Sequence, residues 1–308
     1  MLKIRNLRKS YGNINAVDGI DFNVEEGEIF GLLGPNGAGK STVISMISTL
    51  FKPDSGEVVY NGKSIVENNR FIQSDLGIVP QDIALYPTLS GLQNLKFWGR
   101  NYGLKGSELD EKIIEVSKII GIEERLKDRV DKYSGGMKRR LNIGVALLHD
   151  PKILIMDEPT VGIDPQSRNH ILETVKDLNE KGMTIIYTSH YMEEVEFLCD
   201  RVSIMDDGKI IATGTIDELI EIVGSTFNVV LEFNIVEKEL VQMLGGLENV
   251  QNITVDGDSL ILNVRENGIL KAVVDKLNGS KYHVVSMDVE KPNLETVFLY
   301  LTGKALRD

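Results

Sequence analysis

A glycine-rich segment that ends in a lysine and two hydroxyl side chains has the composition of a phosphate-binding loop. It fits G-x-x-x-x-G-K-[ST] at every fixed position and follows the apolar run 29–33, which is typical of a buried strand. Its glycines would let backbone N–H groups turn inward around phosphate oxygens. Lys40 would place its charge on the β- and γ-phosphates, and the Ser41 hydroxyl would ligate Mg²⁺. These residues predict a nucleoside triphosphate site: Gly34, Pro35, Asn36, Gly37, Ala38, Gly39, Lys40, Ser41 and Thr42.

Two adjacent carboxylates follow a second apolar run. Asp157 and Glu158 come directly after residues 153–156, which predict another buried strand. Mg²⁺ keeps several waters and binds few carboxylates, which suits Asp157. Glu158 would face the same crevice and orient or deprotonate the attacking water. A pair of solvated loop carboxylates is the alternative, but four apolar residues directly before the pair disfavour it.

A second glycine segment, Ser134-Gly135-Gly136, stands before a helical pattern. Two glycines and a serine at a helix N-terminus form an anion site, because the backbone N–H groups and the helix dipole both favour negative charge. Alone this is a common loop sequence. Its place between the first glycine loop and the acidic pair favours a functional anion site over an ordinary loop.

Buried strands alternate with helical patterns over the first two thirds of the chain, which predicts an α/β core with a parallel sheet. Residues 183–187 add a third buried strand, while residues 17–24 alternate as half-buried antiparallel strands do. Residues 83–148 are mostly helical in pattern. Asp164 with Pro165 predicts a helix start. Ser107 with Asp110 predicts a capping box, and Asp207-Gly208 predicts a hairpin.

The composition limits the classes of function. A net charge of −12 over 308 residues disfavours a nucleic-acid partner, which needs a basic face. The apolar runs are far shorter than the ~20 residues that cross a bilayer. The single cysteine, Cys199, follows a helical pattern and is predicted to be a buried structural thiol, which fits a reducing cytoplasm. We therefore expect a cytoplasmic protein with no signal peptide.

The composition changes near Gly224, and the remainder follows a β-α-β-β-α-β order that ends in a helix over 293–301. This order predicts a split-βαβ module. We expect two domains, residues 1–222 and 225–308, and the second shows no glycine loop or acidic pair. Packing or dimerisation is its expected role.

The motifs together resemble the ATP-binding cassette of membrane transporters, the ABC ATPase family, over about residues 2–220. The resemblance implies a P-loop NTPase core with a mixed sheet, an antiparallel β subdomain and a helical subdomain at about 83–148, to which the pattern after Gly224 adds a small α+β C-terminal domain. It also implies a role for each motif residue. The matches are Tyr11 for adenine stacking, Gln81 for sensing Mg²⁺ and the attacking water, Ser134, Gly135 and Gly136 for the signature motif, Asp157 for Mg²⁺, Glu158 for the catalytic base, Asp164 for the loop that crosses the dimer, and His190 for the γ-phosphate.

Three of these residues also have a plain structural interpretation. Tyr11 would pack on the sheet, Gln81 would be an ordinary loop residue, and His190 would be a satisfied histidine at a strand end. Their joint order and spacing favours the functional interpretation. The signature departs from the commonest form because Tyr133 replaces leucine and Met137 replaces glutamine, and methionine cannot donate or accept hydrogen bonds as an amide does.

The resemblance further implies that two cassettes, identical or different, meet head to tail around ATP and Mg²⁺. They would sit as peripheral subunits on the inner face of the membrane, against a separate transmembrane permease. The Met-Lys-Arg-Arg continuation and the ending 293–303 resemble the export branch. One alternative is a soluble family member that acts on ribosomes or nucleic acid, although those usually carry two cassettes or a long inserted coiled coil. A phosphate-loop kinase is another alternative, but it would lack the signature, glutamine and histidine motifs.

Overall fold

The computed structural model describes residues 1–66, 70–223, 227–264, 269–290 and 292–302. The chain forms two compact units, one over Met1–Ile216 and a second that begins at Asp217. The composition change at Gly224 and the end of the export-type motif at Gly303 lie outside the described residues.

The described residues of the first unit form ten strands and seven α-helices. The strands are β1 (Leu2–Tyr11), β2 (Ile14–Val24), β3 (Ile29–Leu33), β4 (Ser55–Tyr60), β5 (Lys63–Ser64), β6 (Leu76–Val79), β7 (Ile153–Asp157), β8 (Thr184–Ser189), β9 (Arg201–Asp206) and β10 (Lys209–Gly214). The helices are α1 (Lys40–Ile47), α2 (Arg70–Gln73), α3 (Gly91–Asn101), α4 (Gly106–Ile119), α5 (Gly135–Leu147), α6 (Pro165–Glu180) and α7 (Met192–Leu198).

A six-stranded mixed sheet in the order β10-β9-β3-β8-β7-β6 forms the centre of this unit. Its inner strands β3, β7 and β8 are buried along their whole length, as continuous apolar runs predict. Strands β3, β6, β7, β8 and β9 run parallel, so their carboxyl ends meet at one edge. That edge is where ligands bind in open α/β sheets.

A four-stranded antiparallel sheet, β2-β1-β4-β5, and the helices α3 to α5 complete the first unit. The predicted mixed α/β core, antiparallel subdomain and helical subdomain are therefore confirmed. The Asp164 cap is confirmed as well, since its carboxylate accepts from the Ser167 N–H at 3.0 Å. No helix in the described ranges is long and apolar enough to span a bilayer.

The capping box predicted at Ser107 is wrong. Helix α4 already begins at Gly106 and its N-cap, Lys105, makes no side-chain cap bond, so Ser107 lies inside the first turn. The capping box forms instead between Ser90 and Gln93 at the start of α3.

In the second unit, strands and helices follow one another in β-α-β-β-α-β order between a first helix, α8, and a last helix, α11. Its elements are α8 (Ile216–Val223), β11 (Phe227–Phe233), α9 (Lys238–Gly245), β12 (Val250–Asp256), β13 (Ser259–Val264), α10 (Ile269–Leu277), β14 (Val284–Glu290) and α11 (Leu294–Thr302). The four strands form an antiparallel sheet in the order β12-β13-β11-β14. Alternate residues of β11 and β13 pack with α9 and α10 in a core of their own.

Candidate functional site

The first glycine segment connects β3 to α1 at the carboxyl edge of the central sheet. Its backbone leaves no room for side chains at two positions. A Cβ on Gly34 would lie 2.2 Å from the Met205 carbonyl oxygen. Gly39 has a φ of +105°, and a Cβ there would lie 2.2 Å from the Ala16 carbonyl oxygen. Glycine is required at both positions, and the resulting turn places the unpaired N–H groups of the first turn of α1 at the loop.

A cleft of about 230 Å³ opens at this loop. Its lining residues are Ala16, Asn36, Gly37, Gly39, Lys40, Ser41, Thr42, Gln81 and Glu158. A larger cleft of about 330 Å³ lies elsewhere in the first unit, between Lys112, Asp150 and Lys181 among others. It contains none of the motif residues, so the smaller cleft is the candidate site.

Lys40 is held in place by several acceptors. Its Nζ atom donates to the carbonyl oxygens of Gly34 at 2.8 Å and Pro35 at 3.1 Å, and it lies 3.1 Å from Glu158 Oε1. Only 4% of Lys40 is exposed. The ammonium group is therefore fixed at the base of the loop and points to the acidic residue after β7.

Glu158 is the residue on which the other side chains converge. In addition to Lys40, two side chains approach Glu158 Oε2. The Gln81 amide nitrogen lies 3.5 Å from this oxygen, and His190 Nδ1 lies 3.4 Å from it without hydrogen-bond alignment. Glu158 has a φ of +45°, a left-handed conformation that non-glycine residues rarely adopt. Its N–H donates to both oxygens of Thr188, which holds this backbone in place.

Asp157, the last residue of β7, is anchored by Thr188 as well. The Thr188 hydroxyl donates to Asp157 Oδ1 at 2.6 Å, and Asp157 is buried. One threonine on β8 thus orients both members of the acidic pair. Within the described residues there is no cluster of three or more His, Cys, Asp or Glu side chains that would hold a metal by itself.

The second glycine segment lies at the start of α5, beside the start of α6. Ser134 caps α5 by accepting from the Met137 N–H at 3.2 Å, and Ser134 and Gly135 are exposed. A Cβ on Gly136 would lie 2.1 Å from Ser167 Oγ and 3.5 Å from Asp164 Oδ2. Two helix N-termini, which both favour negative charge, are therefore neighbours. The Ser167 N–H keeps the pKa of Asp164 below its ordinary value.

Comparison with known proteins decides the family. The sequence profile of the ABC transporter family matches residues 17–161. The linearmycin resistance ATP-binding protein LnrL of Bacillus subtilis is 50% identical over the full length of both chains. This chain belongs to the ABC transporter ATP-binding family. The Nod factor export ATP-binding protein I of Cupriavidus metallidurans is 39% identical over 100% of this chain and 99% of that protein.

Solved structures give the same family. The ATP-binding cassette MJ0796, described as a dimeric post-hydrolysis state bound to ADP and Pi, matches with a TM-score of 0.64 and 29% identity, over 70% of this chain and 98% of that one. The cassette described here is accordingly an ATP-binding ATPase. ATP-binding subunits of the family work with separate transmembrane components.

The two unusual signature residues, Tyr133 and Met137, differ in how deeply they are buried. Tyr133 is buried and its hydroxyl donates to the Arg125 carbonyl oxygen at 2.6 Å, while burial raises the pKa of that hydroxyl. The buried Tyr133 ring therefore packs under the loop before α5, as an apolar leucine would, and its hydroxyl adds a hydrogen bond that leucine cannot make. Met137 is half-buried within the first turn of α5.

The structure brings some of the predicted site residues together and leaves others apart. Lys40, Gln81, Glu158 and His190 are neighbours. Tyr11 ends β1, is 46% exposed and is absent from the residues that line the cleft. The signature motif and Asp164 lie at the starts of α5 and α6 and are also outside the cleft lining.

Sequence reasoning gave no role to Arg139, one of the basic residues that follow the signature. Its guanidinium is buried and donates to the carbonyl oxygens of Pro80 at 2.6 Å and Gln81 at 2.5 Å. Asn142, one turn further along α5, accepts from the Ala84 N–H at 3.3 Å. Helix α5 therefore holds the backbone of the loop 80–84, which we call the glutamine loop after Gln81. The position of Arg139 three residues after Gly136, on the inward face of α5, is the signal that could have revealed it.

Proposed function

We propose that this ATPase hydrolyses ATP on the loop 34–42, with Glu158 as the base that orients and deprotonates the attacking water. The convergence of Lys40, Gln81 and His190 on Glu158 is the observation that supports this assignment most. Lys40 binds the β- and γ-phosphates, His190 contacts the γ-phosphate, and Gln81 positions the water.

Mg²⁺ fits the residues present. A hard cation that keeps its waters needs few protein ligands, and Asp157, the Ser41 hydroxyl and the Gln81 side chain are oxygen donors around the phosphate loop. The ion would neutralise the charge that develops on the phosphates. Tyr11, exposed at the end of β1, stacks on the adenine ring.

We propose that two cassettes, identical or different, close head to tail over the nucleotide. The start of α5, where Ser134 and Gly135 are exposed and Gly136 is buried, supplies N–H groups and helix dipole to the γ-phosphate bound by the partner. Asp164, beside it at the start of α6, meets the same interface. Hydrolysis removes the phosphate that bridges the two subunits, and the dimer opens.

Within the chain, residues 1–222 would form the ABC ATP-binding domain, and residues 225–308 a packing or dimerisation domain. The cassette would sit on the inner face of the cell membrane and power outward transport through a separate permease. Relatives named for Nod factor export and for linearmycin resistance support an export direction.

The test uses the chain with its own membrane subunit in inverted membrane vesicles, and linearmycin as the probe. Export predicts MgATP-dependent uptake into these vesicles, which the Glu158→Gln variant abolishes. ATP-dependent release of preloaded linearmycin would contradict the direction. If neither uptake nor release depends on ATP, linearmycin is not the substrate. Co-purification with ribosomes or DNA in place of a membrane protein would overturn the transport assignment.

A further inference from the structure

Glu194 is a buried carboxylate to which the proposed mechanism gives no role. It lies on α7, is 2% exposed, and follows His190 by four residues. A buried charge is costly unless it is paired and hydrogen-bonded. The groups that satisfy this charge come from three different segments of the site.

A single oxygen, Glu194 Oε2, accepts three hydroxyl hydrogen bonds. The donors are Thr160 at 2.8 Å, Tyr187 at 2.9 Å and Ser189 at 3.1 Å. Burial and the charge of Glu194 raise the pKa of the Tyr187 hydroxyl, which therefore remains a donor at neutral pH. The other oxygen, Oε1, lies 3.4 Å from Arg168 Nε.

Two of these donors lie next to the residues that carry the chemistry. Thr160 follows Glu158 by two residues, and its carbonyl oxygen accepts from Ile163 N–H in the turn that leads to Asp164. Ser189 precedes His190, and its hydroxyl oxygen accepts from Tyr191 N–H at 2.9 Å.

The aromatic residue after His190 is also attached to this cluster. The Tyr191 ring lies 4.2 Å from the His190 ring and 4.8 Å from the Arg168 guanidinium. The backbone on both sides of His190 is therefore fixed through Glu194. Because Arg168 lies one turn after Asp164 on α6, the same cluster reaches the helix at the proposed dimer interface.

We propose that Glu194 is a positioning residue for ATP hydrolysis. It holds the Glu158 segment and the His190 segment at a fixed separation and ties both to α6. The inference rests on the proposed roles of Glu158 and His190. Misplacing reacting groups by about 1 Å costs on the order of a hundredfold in rate, so a small relaxation of this cluster is sufficient to slow turnover.

The test compares Glu194→Gln with Glu193→Gln, its exposed neighbour on the same helix. The glutamine oxygen can replace Oε2 for the three hydroxyls, but its NH2 group then takes the place of Oε1 and faces Arg168, which is also a donor, so the cluster must rearrange. We expect kcat to fall about tenfold to a hundredfold while KM and the Kd for MgATP change less than about threefold. The His190 imidazole resonances shift in Glu194→Gln and not in Glu193→Gln.

A normal kcat, or unmoved His190 resonances, in folded Glu194→Gln overturns the inference. A loss of MgATP binding in proportion to the loss of turnover overturns it as well, since that marks general damage. If Glu194→Gln does not fold, Ser189→Ala removes one small hydroxyl of the cluster and carries the same expectations.

Glu158→Gln and His190→Ala are assayed in parallel to separate the two hypotheses. If both abolish turnover and Glu194→Gln does not, only the positioning role fails. If both retain normal turnover, the proposed site assignment fails, and the positioning role fails with it.

Discussion

Lys40 Nζ and Glu158 Oε1 lie 3.1 Å apart, and both side chains are almost fully buried. The pair joins the loop after β3 to the loop after β7 across the carboxyl edge of the sheet. Removing one partner of a buried pair leaves an uncompensated charge, which destabilises far more than the pair itself stabilises. The two carbonyl oxygens that also accept from Lys40 reduce that penalty here.

Glu158→Gln should retain ATP binding and lose most hydrolysis. The amide keeps an oxygen for Lys40, but it cannot take a proton from water, so turnover falls by about 10²- to 10⁴-fold. ATP then persists between the subunits, and a closed dimer accumulates. Phosphate release measures the first effect and size-exclusion chromatography with MgATP the second. Near-normal turnover in this variant would contradict the role of Glu158 as the base.

Ser134→Arg should prevent the dimer from closing while each monomer still binds ATP. The long cation would occupy the exposed start of α5, where the partner's phosphate is expected. Equilibrium binding to the monomer and ATP-dependent dimerisation in the Glu158→Gln background separate these two effects. Ser107→Arg, at an exposed serine of α4, is the control. Dimerisation that survives Ser134→Arg would contradict the role of the signature segment across the interface.

Gly136→Ala should destabilise the junction of α5 and α6. The new methyl group would lie 2.1 Å from Ser167 Oγ and 2.3 Å from its Cβ, and such overpacking costs roughly 1–3 kcal/mol. Ser167→Gly removes both atoms, so the double variant should lose less stability than the two single variants add up to. Thermal unfolding of the four proteins measures this coupling. Additive losses would show that the close approach of Gly136 to Ser167 is unimportant.

Arg139→Met should slow hydrolysis by detaching the glutamine loop from α5. The carbonyl oxygens of Pro80 and Gln81 would lose their buried donor, a loss of about 1–3 kcal/mol of stability. Displacement of Gln81 should lower kcat about tenfold or more. Lys138→Met, at the half-buried neighbour, is the matched control. Equal turnover in the two variants would show that Arg139 only packs the helix.

The sequence predicted most of the fold because its signals are local. Continuous apolar runs gave β3, β7 and β8, and Asp164 with Pro165 gave the start of α6. The same local reasoning misplaced a cap at Ser107, because a serine with an acidic residue three positions later fits a first turn as well as an N-cap. Only the start of α4 at Gly106 decides between them.

The sequence by itself determined the family and predicted which residues would carry the chemistry, since the phosphate loop, the acidic pair and the signature are contiguous patterns whose order is specific to one family. Tertiary structure alone decided what holds those residues in place. Arg139 and Glu194 resemble ordinary charged helix residues in the sequence, yet both are buried. Their partners lie on other segments, and a one-dimensional pattern does not record which face of a helix meets which loop.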